Sequence, residues 1–88
     1  MHNDFKISLI SFHLLQEAEK RIIKASDFNN YFLSKGIQKV ILEDVFNVIN
    51  NLEKVGCLRK ISDDEFEISN QGRKEYLEIR QAIKKFFN

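Results

Sequence analysis

One stretch, Asp44 to Leu58, most limits what this chain can fold into. Val45, Val48, Ile49, Leu52 and Val55 recur at steps of three and four, so they line one face of a helix, while Asn47, Asn50, Asn51, Glu53 and Lys54 fall elsewhere. Gly56 is expected to end that helix, because a residue without a Cβ enters the left-handed conformation past a helix terminus at little steric cost. Residues 57–61 then take up the alternation of a strand, and residues 58–61 and 66–69 flank the polar turn Ser62-Asp63-Asp64-Glu65, with Phe66 and Ile68 on one face. Two strands alone are not stable in water. The hairpin therefore needs helices over its apolar face, and the sequence predicts one on each side of it.

A chain of 88 residues bounds this to one domain, residues 1–88, with a modest core. No run of eighteen apolar residues appears, and Met1-His2-Asn3-Asp4 lacks the basic and then apolar pattern of a signal peptide, so a soluble cytoplasmic protein with no membrane partner is expected. The single cysteine, Cys57, rules out an internal disulfide framework and a thiolate metal cluster. No glycine-rich phosphate loop or nucleophile-and-base pattern is present, so neither an enzyme nor a cofactor is expected.

Residues 4–19 read as a helix with Phe5, Leu9 and Phe12 on one line and Ile7, Ile10, Leu14 and Ala18 on another. An arc that wide fits either a buried central helix or one shared with a second subunit. His13 among these residues reads as a satisfied core or interface histidine, since no second ligand stands at metal spacing. Ile22 or Ile23 suits a short strand. Ser26 is expected to cap a second helix carrying Asp27 in its first turn, Phe28 and Phe32 one turn apart, and Leu33 on the same side, with Gly36 as its stop. Ile41 extends the Val45 stripe backwards by four, so the third helix is expected to run from near Gln38 to Val55.

The last helix is expected over residues 70–87, capped by Ser69 or Asn70, with Tyr76, Ile79, Ile83 and Phe86 in register and Leu77, Ala82 and Phe87 widening the arc. It outruns the core it must cover. The whole pattern is mainly α with a small β-hairpin, an α+β order of helix, short strand, helix, helix, hairpin and helix.

The runs L-E-K-V-G-C-L-R-K-I and F-E-I-S-N-Q-G-R-K-E-Y-L resemble the second half of a winged helix-turn-helix domain of the MarR and PadR type. Leu52, Glu53, Gly56, Leu58, Ser69, Gly72 and Arg73 carry the likeness, which spans roughly residues 22–80. The resemblance implies that the third helix is a DNA-recognition helix, that the hairpin is the wing, and that the terminal helices form a homodimer. It implies a small DNA-binding transcription regulator. The implied dimer residues are Phe5, Leu9, Phe12, Tyr76, Ile79, Ile83, Phe86 and Phe87.

The chemistry of the third helix suits that implication in part. Gln38, Asn47 and Asn50 can pair with adenine edges, Lys39 can meet phosphate or guanine, and Phe46 can touch a thymine methyl. Arg59 and Lys60 are placed either on the DNA backbone or in pairs with Glu65 and Glu67 across the hairpin. Charge pulls the other way. The total is +1; residues 57–69 set Arg59 and Lys60 against four acids for a net −2, while residues 70–88 carry +3 through Arg73, Lys74, Arg80, Lys84 and Lys85. Since lysines and arginines that displace counterions supply most of the non-specific affinity for DNA, an alternative stands beside the first. In it, the winged helix is a protein-interaction module whose acidic third helix and wing bind a basic partner.

Overall fold

Two glycines with left-handed backbone set the path of the chain, Gly36 at φ 74° and Gly56 at φ 85°. The structure, a computed structural model, describes residues 2–37 and 40–87, with the side chains of residues 2–5, 29, 86 and 87 outside the description. Its elements are α1 (His2–Lys20), β1 (Ile23–Lys24), a 3₁₀ turn (Ala25–Asp27), α2 (Phe28–Ser34), α3 (Leu42–Lys54), β2 (Leu58–Lys60), β3 (Glu65–Ile68) and α4 (Asn70–Phe87). This is the expected α+β order. Each glycine closes its helix in the same way: Gly36 N–H donates to Leu33 C=O and Ile37 N–H to Phe32 C=O, while Gly56 N–H donates to Glu53 C=O and Cys57 N–H to Leu52 C=O. These paired bonds satisfy carbonyls that the helix end would otherwise leave open.

The strands form one antiparallel sheet in the order β1-β3-β2, so the early strand pairs with the returning strand of the hairpin. Ile23 lies opposite Phe66, and Leu58 opposite Ile68. All four are buried on the helical side, as period-two alternation requires. Of the two candidate strand residues, Ile23 is the buried one and Ile22 is exposed.

α1 is the central helix. Leu14 and Leu15 are both fully buried although adjacent in sequence, because α1 packs between α3 and α4 and also covers β3. The width of its apolar arc follows from that position. Phe12 stacks on Tyr76 at 5.6 Å between ring centroids, and Arg73 of α4 bonds Glu19 at 3.3 Å. α1 and α4 therefore run antiparallel. No helix among the described residues is long and apolar enough to cross a membrane.

Four details depart from the sequence expectation. α3 begins at Leu42, not near Gln38; Ile41 is extended at φ −101°, ψ 162°, and its N–H donates to Asp44 Oδ2 at 3.2 Å. An acid three residues past the cap that reaches back in this way fixes the first turn, and it also suits the helix dipole. Ile41 and Val55 thus lie at the two ends of α3 and are 58% and 56% exposed, so neither belongs to the buried stripe. Leu33 is 61% exposed, because the short α2 turns Phe28, Tyr31 and Phe32 inward and Leu33 away from them. Ser26 caps no helix with its own side chain. Instead Asp64, from the hairpin tip, accepts from Ser26 N–H at 3.0 Å and Ser26 Oγ–H at 2.6 Å, and the Asp64 carbonyl accepts from Ala25 N–H at 2.9 Å.

The Ser26 hydroxyl bond holds the Asp64 carboxyl below its usual range. A carboxylate with a depressed folded pKa contributes stability that is present above its unfolded value and lost as pH falls through the folded one. Asp64→Ala is expected to lower the melting temperature by a few degrees and to speed hydrogen exchange at the amides of Ala25 and Ser26. Asp63→Ala, whose side chain reaches only Lys60 at 3.9 Å, should leave both unchanged. Equal effects of the two substitutions would show that the wing tip holds nothing.

His13 sits in an aromatic cluster between α1 and α2. Its Nδ1 lies 3.1 Å from Tyr31 Oη, and its ring stands edge-on to Phe12, Tyr31 and Phe32. Burial first, and then the charge of Lys35, push its pKa below the ordinary value of 6.5. The folded state therefore prefers neutral His13. Its contribution is complete above about pH 6.5 and falls as pH drops from there to the folded pKa. The urea midpoint is expected to decrease between about pH 7.5 and about pH 5, with His13→Gln flattening that decrease; an identical slope in the variant would remove His13 as its source.

Candidate nucleic-acid interface

α3 is amphipathic, and its inner face decides what its outer face presents. Val45, Val48, Ile49 and Leu52 are buried against α1, the 3₁₀ turn and β2, which leaves Glu43, Phe46, Asn47, Asn50, Asn51, Glu53 and Lys54 exposed. Glu43, Asn47, Asn50 and Lys54 point furthest from the buried stripe, and Phe46, 38% exposed, lies toward one edge of the outer face. Asn47 also borders α1. With Asn51 it lines a groove of about 280 Å³ whose opposite wall is Lys6, Ile7 and Ile10 of α1.

Asp44 shares that groove. Lys6 Nζ lies 2.7 Å from Asp44 Oδ2. The Lys6 bond first, and the Ile41 amide after it, hold the Asp44 carboxyl below its usual range. The acid at the start of the helix is thus joined to α1 and to its own cap. The signal for the cap was in the sequence, as an acid three residues past the helix start; the partner on α1 had no such signal.

On the wing, Arg59 faces Glu67 across the ladder with their charged groups 3.2 Å apart, and Lys60 reaches Asp63 at 3.9 Å. Both predicted backbone cations therefore have carboxylate neighbours on the hairpin itself. Such exposed pairs are typically worth under about 1 kcal/mol, so they compete only weakly with a phosphate. Glu65 accepts from the Ser62 hydroxyl at 2.9 Å. The other two expected reading residues, Gln38 and Lys39, lie outside the described residues.

The expected dimer residues divide into three groups. Tyr76 is buried in the core of the single chain, with Phe12 and Ile79 packed around it. Leu9 and Ile83 are half-buried, on the first turns of α1 and the last turns of α4. The side chains of Phe5, Phe86 and Phe87 lie outside the described residues. Because α1 and α4 are antiparallel, the segments bearing Phe5, Leu9, Ile83, Phe86 and Phe87 come to the same end of the molecule. Cys57 is buried under α4, where burial raises its thiol pKa. Among the described residues no three of His, Cys, Asp and Glu converge to hold a metal ion.

Comparison of the sequence with protein-family models and with curated proteins found no match.

Proposed function

We propose that this chain is a small cytoplasmic DNA-binding regulator of transcription, of the winged helix-turn-helix kind and similar in layout to MarR and PadR proteins. It binds duplex DNA as a homodimer and is not an enzyme. The observation that carries this reading is α3, packed on one face by α1, the 3₁₀ turn and β2 and exposing Phe46, Asn47, Asn50 and Lys54 on the other. A helix so held can enter a major groove without rearranging the core behind it. The dimer reading is supported by the shared end of α1 and α4, where sequence puts Phe5, Leu9, Ile83, Phe86 and Phe87. To enter successive major grooves, the two α3 helices of such a dimer must lie about one DNA turn, roughly 34 Å, apart.

One of the acids of α3 is offset, since Asp44 is paired with Lys6. The remainder favours a second reading, in which α3 and the wing dock a basic protein: Glu43 and Glu53 stay exposed beside the outer face, and the wing keeps its net negative charge.

An amide NMR titration with a mixed-sequence duplex, at low and near-physiological salt, separates the two. Shifts at Phe46, Asn47, Asn50 and Lys54 that weaken steeply with salt are expected. Shifts confined to Arg73 through Lys85, or none, would reject α3 as the DNA-binding helix and leave the protein-docking reading.

A further inference from the structure

We infer that the groove between α1, the end of α3 and the first half of α4 binds a small ammonium ion carrying an apolar body, with Glu75 facing its charge and Ser11 its hydrogen bond. Such a site does not depend on whether the chain binds duplex DNA.

Where the three helices meet they leave a space of about 430 Å³, a volume that small-molecule sites commonly have. Its sides are aliphatic, with Ile7 on α1, Val55 just past α3 and Ile79 on α4, and Leu52 and Cys57 are the buried part of the lining. Ile7 and Val55 are 46% and 56% exposed, so apolar surface that the single chain leaves in water borders the opening. An apolar body seated there would take that surface out of water.

Two polar groups then restrict the occupant. Among the described residues Ser11 is the one polar residue that the fold buries, at 8% exposed, and it lines this groove. A buried hydroxyl ordinarily has a protein partner. None of the side-chain hydrogen bonds among the described residues includes the Ser11 hydroxyl, which leaves it to an occupant. Glu75, half-buried, is the one charged residue of the lining, and none of the ion pairs among the described residues includes it. Its charge reaches the buried part of the groove: burial first, and Glu75 second, raise the Cys57 thiol pKa. Neither Arg73 nor Lys74 lines the groove, and Arg73 bonds Glu19 instead. Past Ile7 and Asn51 the lining continues to Lys6 and Asp44, whose charges offset each other at 2.7 Å. A carboxylate against apolar walls, with no free cation beside it, attracts a cation and repels an anion.

The test is an amide NMR titration of the full-length chain with 2-phenylethylamine, beside two probes of similar shape, neutral 2-phenylethanol and anionic 3-phenylpropionate. The amine should give saturable shifts at Ile7, Ser11, Asn51, Val55 and Glu75, at the millimolar affinity that so small a molecule can reach. The alcohol should bind about fivefold more weakly, the worth of one partly exposed ion pair, and the anion more weakly still. Glu75→Gln should bring amine and alcohol to equal affinity, and Ser11→Ala should weaken both about threefold. Ser8 is exposed and lines the same groove, so Ser8→Phe should fill it and abolish the shifts. Glu75→Gln and Ser8→Phe change no buried side chain, and their thermal melts should match the wild type. Shifts that do not saturate or that fall elsewhere, equal binding of amine and anion, or a preference for the amine that survives Glu75→Gln would overturn the site.

Discussion

Gly72→Ala is expected to destabilise the domain by about 3 kcal/mol, although the same change in an exposed helix would stabilise it by up to about 1 kcal/mol. A Cβ built on Gly72 would stand 2.2 Å from the backbone oxygen of Cys57 and 2.7 Å from Ile68 Cγ1. The first neighbour is backbone and cannot swing aside. It is also in use: the Cys57 carbonyl accepts from Ser69 N–H at 3.0 Å, and the Ser69 hydroxyl turns toward the carbonyls of Gly56 and Cys57 while accepting from Gly72 N–H at 3.0 Å. The N-terminus of α4 is therefore seated on the α3–β2 junction through main-chain groups, and only a residue without a side chain fits between them. Urea unfolding of the variant measures the sign directly. A neutral or stabilising result would mean that α4 does not approach this closely.

Phe32→Ala should cost more, about 3–5 kcal/mol, enough to leave little folded protein in a domain of this size. Phe32 is 1% exposed, the largest of the fully buried side chains, and meets Phe28, Tyr31 and His13. Removing its ring opens a cavity among aromatic side chains that α2, seven residues long, has few other means of holding together. Leu33→Ala is the internal control. Leu33 is one residue on but 61% exposed, and its loss should change stability by less than about 0.5 kcal/mol. Similar midpoints for the two variants would contradict the orientation of α2.

Much of the fold was legible because it rests on local rules. The spacing of Val45, Val48, Ile49 and Leu52 gave the helix and its inner face, the glycines at 36 and 56 gave the stops, and alternation at Phe66 and Ile68 gave the wing. The misplaced start of α3 shows where such rules end. Ile41 continues the periodic pattern, but the Asp44 carboxylate ends the helix there by taking the Ile41 amide, and a polar bond outranks one more apolar match. Of the candidate interface, Asn50 and its neighbours were readable as an outer face. The pairing of Arg59 with Glu67 was one of two open alternatives until the strand register was known.

By itself, then, the sequence determined the kinds and order of the elements and which face of α3 turns inward, since these depend on periodicity and on backbone preferences within a few residues. Only the tertiary structure decided the tasks of single polar groups and of Gly72. Lys6 with Asp44 and Ser26 with Asp64 are 38 residues apart in each case. Gly72 matters because another part of the chain comes within van der Waals distance of it. Charges and close approaches act across space, and no spacing along the chain records which of them will meet.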